Sequence, residues 1–118
     1  MAVLLTALLS IGVHLLVGWE GTVLAGVVGG LFVRTASGWL VGAGGAAIAW
    51  TTLVVYTASV APASFHILVD TLGTLAGNIP GEAIVGLTVF LGSLLGGLGG
   101  GIGTLLRPFV PEELRTAG

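Results

Sequence analysis

The sequence predicts an all-α integral membrane protein: a compact bundle of about four short transmembrane helices with one further amphipathic helix, interfacial or re-entrant. Three observations carry that expectation. Of 118 residues, 55% are hydrophobic and only 7% are charged, whereas a soluble domain carries about 25% charged residues. The mean hydropathy is +1.16. Finally, eight glycines crowd residues 86–103, inside the uncharged run 83–106. Each glycine costs a water-soluble helix roughly 1 kcal/mol relative to alanine. In a bilayer the same residues let helix backbones approach closely.

The first apolar block, residues 2–17, ends at Gly18-Trp19-Glu20-Gly21, where an interfacial tryptophan and a glutamate mark an exit from the apolar phase. It resembles the core of a signal peptide. No Lys or Arg precedes it, however, and no small-x-small cleavage site precedes Glu20, so it is read as a retained helix. The second block, 22–33, ends at Arg34-Thr35-Ala36-Ser37-Gly38. Both blocks are short, since 16 residues reach only about 24 Å at 1.5 Å per residue. They suit thin spans, a re-entrant pair, or helices lengthened by their small flanking residues. The third block, 39–61, opens on Trp39 and is closed by Pro62, and the fourth, 83–106, is closed by Arg107-Pro108.

Between the last two blocks, residues 63–78 carry Phe65, Leu68, Val69, Leu72, Leu75 and Ala76 at helical spacing. His66, Asp70, Thr74 and Asn78 form the opposite stripe, so the segment reads as an amphipathic helix. Asn78-Ile79-Pro80-Gly81 then makes a turn. Residues 1–106 thus form a single transmembrane domain, and 107–118 a short polar tail in which Pro111-Glu112-Glu113 can open one helical turn.

Crossing the membrane at each block groups the N-terminus, Arg34, Arg107 and Arg115 on one side, with Glu20, Asp70 and Glu82 on the other. Arginine favours the cytoplasmic face, so both termini are expected in the cytoplasm, under a prokaryotic inner or plasma membrane. Merging the first two blocks into one span would bury Glu20 in the apolar phase.

A net charge of −2 without a single lysine offers no nucleic-acid surface. The absence of cysteine removes thiol catalysis, disulfides and thiolate metal sites. Gly42-Ala43-Gly44-Gly45-Ala46-Ala47 fits a degenerate dinucleotide pattern, but no strand precedes it. No nucleophile elbow or zinc motif occurs, so neither enzymatic activity nor a cofactor is expected.

Two kinds of candidate residue remain. Gly26, Gly30, Gly38, Gly42, Gly92, Gly96 and Gly100 lie in rows of small residues four apart, suited to packing the chain's own helices or copies of it. The second and third blocks carry neighbouring rows too, Ala25/Gly29 and Gly45/Ala49, and the fourth carries Ser93/Gly97/Gly101. The polar candidates are His14, in a stripe with Thr6 and Ser10, and the pair His66/Asp70. A histidine inside an apolar helix is a candidate proton or cation site, or it simply hydrogen-bonds a neighbouring helix. A carboxylate one turn from a histidine orients the imidazole, although a solvated helix face is the plainer reading of His66 and Asp70. Two ligands do not make a metal site. Bundle geometry would allow His14, Glu20, His66, Asp70 and Glu82 to gather at one end. Thr52, Tyr56 and Ser59 either face a polar crevice or satisfy one another between helices.

The function expected from these features is a non-enzymatic, self-packing or accessory membrane subunit whose partners are the lipid bilayer and further copies or a larger membrane complex. The alternative is a small oligomeric channel or carrier for protons or small ions, because four short spans enclose too little volume alone. Replacing Gly96 or Gly100 with leucine should separate the helices and lose the compact species on size-exclusion chromatography in detergent. Unchanged elution and thermal stability of both variants would place those glycines against lipid.

Overall fold

The computed structural model describes residues 1–33 and 37–111. Five helices account for most of them: α1 (Ala2–Val17), α2 (Gly21–Leu31), α3 (Gly38–Val60), α4 (Pro62–Leu75) and α5 (Gly81–Leu106), the last running into a 3-10 turn at Arg107–Phe109. The described residues include no strand. Arg34, Arg115 and the expected turn at Glu112-Glu113 lie outside the described residues.

Length separates the helices into two groups. α3 and α5 are long and apolar enough to cross a membrane, at about 35 and 39 Å for 1.5 Å per residue. α1 has 16 residues and α2 only 11, or about 24 and 16 Å, short of the roughly 30 Å apolar core of a bilayer. The second block was expected to stay helical to residue 33. It stops at Leu31, where Phe32 caps the helix and Val33 leaves it. Two of the four apolar blocks therefore have spanning length.

The register follows from glycine contacts. A Cβ placed on Gly21 would strike Val13, and one on Gly29 would strike Thr6, so α1 and α2 form an antiparallel hairpin. Gly45 of α3 also faces Thr6, which seats that side chain in a notch between α2 and α3. On the other face, α5 lies in the furrow between α2 and α3. The carbonyl of Gly96 stands between Gly26 and Gly42, and that of Gly100 between Gly30 and Gly38. A Cβ at Gly26 would come within 2.5 Å of the Gly96 oxygen, which no side chain tolerates. Gly99 and Gly103 meet the backbone of Val23 and Val27 in the same way. α2 and α3 are thus the middle pair, with α1 on one side and α5 on the other. The doubled small rows have this cause: each middle helix packs on both faces.

Burial is inverted relative to a water-soluble bundle. Among the described residues, those buried apart from glycine are Ala7, Ala25, Ala46, Ala49, Val69 and Ile84 with the polar Thr6, Ser10 and Thr22. The large apolar side chains point outward, including Leu4, Leu8, Leu16, Leu24, Val55, Phe90, Leu98 and Leu105. Hydroxyls are satisfied locally. Thr6, Thr52, Thr57, Ser59, Thr71, Thr74, Thr88, Ser93 and Thr104 each donate to the carbonyl four residues earlier. Thr52 and Ser59 therefore serve their own helix rather than a crevice or one another.

α4 begins on Pro62, whose fixed φ suits a first helical position. It rests on the start of α5 through the buried Val69 and Gly73, with His66 and Asp70 exposed. Gly77 (φ 101°) and Asn78 (φ 62°) reverse the chain after it, and the Ile79 amide donates to the Gly73 carbonyl at 2.9 Å. At the opposite end of the bundle, Arg107 Nη1 donates to the carbonyl of Val33 at 2.9 Å. The arginine thus ties the end of α5 to the end of α2.

The α1–α2 turn depends on Gly18, at φ 102° and ψ −161°, a region open essentially to glycine alone. Gly18→Ala should destabilise the protein by about 1–3 kcal/mol, read as a lower unfolding midpoint in detergent. Gly86→Ala, where a Cβ meets nothing within 4 Å, should be neutral or gain up to about 1 kcal/mol.

Candidate functional site

The polar residues of the interior gather around Trp50, half-way along α3. Its indole Nε1 donates to Thr22 Oγ1 of α2 at 3.1 Å. Its ring meets His14 of α1 edge-on, with centroids 5.4 Å apart and planes at 69°. Its other face is seated on α5: a Cβ at Gly92 would lie 2.5 Å from the indole Cγ. One side chain therefore touches α1, α2 and α5 at a single level. Trp50 was not singled out from the sequence. The available signal was that it continues the row Gly38, Gly42, Ala46 by one more helical turn, opposite Gly92.

The stripe Thr6, Ser10 and His14 faces inward. Thr6 and Ser10 are each only 1% exposed. Thr6 spends its hydroxyl hydrogen on the Ala2 carbonyl at 2.9 Å. Ser10 Oγ and His14 Nδ1 are different: both are sealed from solvent and neither has a hydrogen-bond partner. The plain expectation for His14, a hydrogen bond to a neighbouring helix, is not what the structure contains, because its neighbour presents a π-face edge instead.

His14 and Trp50 form one end of a cleft of about 230 Å³. Leu53, Val54 and Thr57 of α3 line it, with Phe65, Leu68, Val69 and Leu72 of α4 above and Ile84, Val85 and Thr88 of α5 opposite. A second cleft of about 320 Å³ adjoins it and brings together His66, Asp70 and Glu82 beside Pro80 and Gly81. The two share the walls Phe65, Val69 and Val85. The expected gathering of ionisable residues thus divides. His66, Asp70 and Glu82 share the outer cleft, His14 lines the inner one, and Glu20 lines neither. His66 meets Phe65 edge-on at 6.1 Å. Among the described residues, no three of His, Asp and Glu come close enough to hold a metal ion.

The seven packing glycines occupy one continuous contact: Gly26 and Gly30 from α2, Gly38 and Gly42 from α3, and Gly92, Gly96 and Gly100 from α5. Gly99 and Gly103 join them on the α2 side. Ser93, Gly97 and Gly101 instead line an open apolar groove of about 580 Å³ with Trp39 and Ala43. No protein-family model, no curated protein and no solved structure matches this chain.

Trp50→Phe should remove the bond to Thr22 and leave that fully buried hydroxyl without its partner, at a cost of about 1–3 kcal/mol. Adding Thr22→Val should recover part of the loss. A double-mutant cycle on thermal unfolding measures this coupling, and strict additivity would show that the bond contributes nothing.

Proposed function

We propose that this chain is a small integral membrane protein without enzymatic activity, whose role is to present a preformed helical surface to further copies of itself or to a larger membrane complex. The observation that carries this reading is the inverted burial. Glycine, alanine, threonine and serine fill the interior, while leucine, valine and phenylalanine cover the outside. A water-soluble monomer rarely exposes contiguous apolar patches beyond a few hundred Å², but a hydrocarbon solvent accepts such a surface without cost. Hydroxyls that bond their own helix carbonyls agree with that solvent, because no water is present there to satisfy them.

In this reading α3 and α5 span. The α1–α2 hairpin is a re-entrant pair entering from the side that carries Arg107, and α4 covers the depth the hairpin leaves open on the far side. Both termini then lie with Arg107 on the cytoplasmic face. Backbone-to-backbone contact among α2, α3 and α5 leaves no lumen between them, so the chain's useful surface is its exterior. The groove along Ser93, Gly97 and Gly101 is the part of that exterior where a helix of another molecule can approach most closely.

The test has two stages. The protein should stay in the membrane pellet after alkaline carbonate washing, and release into the supernatant would overturn the membrane assignment. Solubilised gently from native membranes, it should then run as a defined homo-oligomer or with a stoichiometric partner. Recovery as a lone monomer would overturn the assembly role while leaving the membrane assignment standing.

A further inference from the structure

The cleft beneath α4 has features that helix packing alone does not call for. Its walls are apolar except for Thr57 and Thr88, and one end is an imidazole with no protein partner on either ring nitrogen. Nδ1 is sealed inside the bundle, so the nitrogen that retains access is Nε2. We propose that this cleft binds a monocyclic aromatic molecule bearing one hydroxyl group, a phenol-class ligand, with its oxygen on His14 Nε2.

Size sets the first limit. A cavity of about 150 Å³ lined by aliphatic and aromatic side chains is enough to take up benzene. The volume here is about 230 Å³, room for one substituted ring, and the cleft is open along one side. Leu53, Val54, Leu72 and Ile84 supply walls for such a ring, and Trp50 closes the end beside His14.

Hydrogen-bonding capacity sets the second limit. Ser10 stands one turn before His14 on the same helix face, and its buried hydroxyl is also unpartnered. With neither ring nitrogen partnered, either tautomer is open to His14, and a hydrogen placed on Nε2 presents a donor to the cleft. Thr57 and Thr88 have already given their hydroxyl hydrogens to the carbonyls of Leu53 and Ile84, each at 2.9 Å. They retain lone pairs and therefore act only as acceptors. A group able to accept from one side and donate to the other is a hydroxyl. A carbonyl would leave the threonine side unanswered, and a bare hydrocarbon would leave both. The cleft is open along one side, past the exposed Thr57, Leu68 and Leu72, so entry requires no movement of α4.

The test uses the full-length protein in detergent, with para-fluorophenol and fluorobenzene as probes observed by fluorine NMR. The wild type should give a saturable bound resonance, distinct from the micelle signal, with para-fluorophenol favoured over fluorobenzene by at least about tenfold, as one retained buried hydrogen bond implies. His14→Phe should abolish that preference while fluorobenzene still binds, and His66→Phe, in the neighbouring cleft, should preserve it. Val54→Trp should fill the space and remove both bound resonances, which keeps the proposal testable if His14→Phe does not assemble. A micelle signal alone in the wild type, a preference that survives His14→Phe, or binding that survives Val54→Trp would each overturn it. None of these outcomes bears on membrane residence or assembly.

Discussion

Everything in this fold depends on how closely α5 approaches the backbones of α2 and α3. The carbonyls of Gly96 and Gly100 are each straddled by one glycine from α2 and one from α3. At that separation the helices meet through main-chain atoms, so Cα–H···O contacts of about 0.5–1 kcal/mol each and dispersion replace side-chain interdigitation. The arrangement has no tolerance for a Cβ on any of the six glycines involved. It also dictates where the rest of the chain goes. With α5 filling one furrow between α2 and α3, only the opposite furrow remains for α1, which enters it with Thr6 as its knob.

Close contact consumes small residues, and the large ones are left for the outside. The result is a protein whose apolar driving force cannot come from expelling water out of a core of leucines and phenylalanines. In the proposed bilayer setting, stability instead rests on packing density and on polar groups satisfied within each helix, the two resources available in a hydrocarbon solvent. Against that background the exceptions are informative. Trp50 is the one large ring turned inward to touch three other helices, and Gly92 is small because the indole occupies the space its side chain would need. Ser10 Oγ and His14 Nδ1 are buried polar atoms left unpaired, whereas the buried hydroxyls of Thr6 and Thr22 are paired. Such groups cost free energy, and His14 also lines the cleft beneath α4 with its other ring nitrogen unpaired, which is why that cleft is the place to look for a ligand.

Much of the architecture was legible in the sequence because apolar blocks, tryptophans and prolines mark helix limits directly. α1, α3, α4 and α5 begin and end within a few residues of the blocks read from composition. α2 was overextended because Phe32 and Val33 are apolar, and hydropathy does not register a helix that ends early. The small rows were visible, but their assignment was not. Gly97 and Gly101 have the same four-residue spacing as Gly96 and Gly100, and only the direction of approach of α2 decides that Gly99 and Gly103 are buried instead. The polar end of the bundle was half legible. His66, Asp70 and Glu82 share a cleft, but Glu20 does not join them, and His14 is separated from them by Phe65, Val69 and Val85. Trp50 went unnoticed because a tryptophan in an apolar block reads as one more large residue until its contacts are known.

The central claim is that the α5 glycine face is used within one chain rather than between copies. The chain has no cysteine, so an introduced pair reports without background. A Cβ on Gly97 would stand 3.4 Å from that of Ala43, close to the range that a disulfide requires. In the double variant Ala43→Cys/Gly97→Cys, mild oxidation in membranes should give an internally bridged monomer. Two free thiols after oxidation would contradict the account.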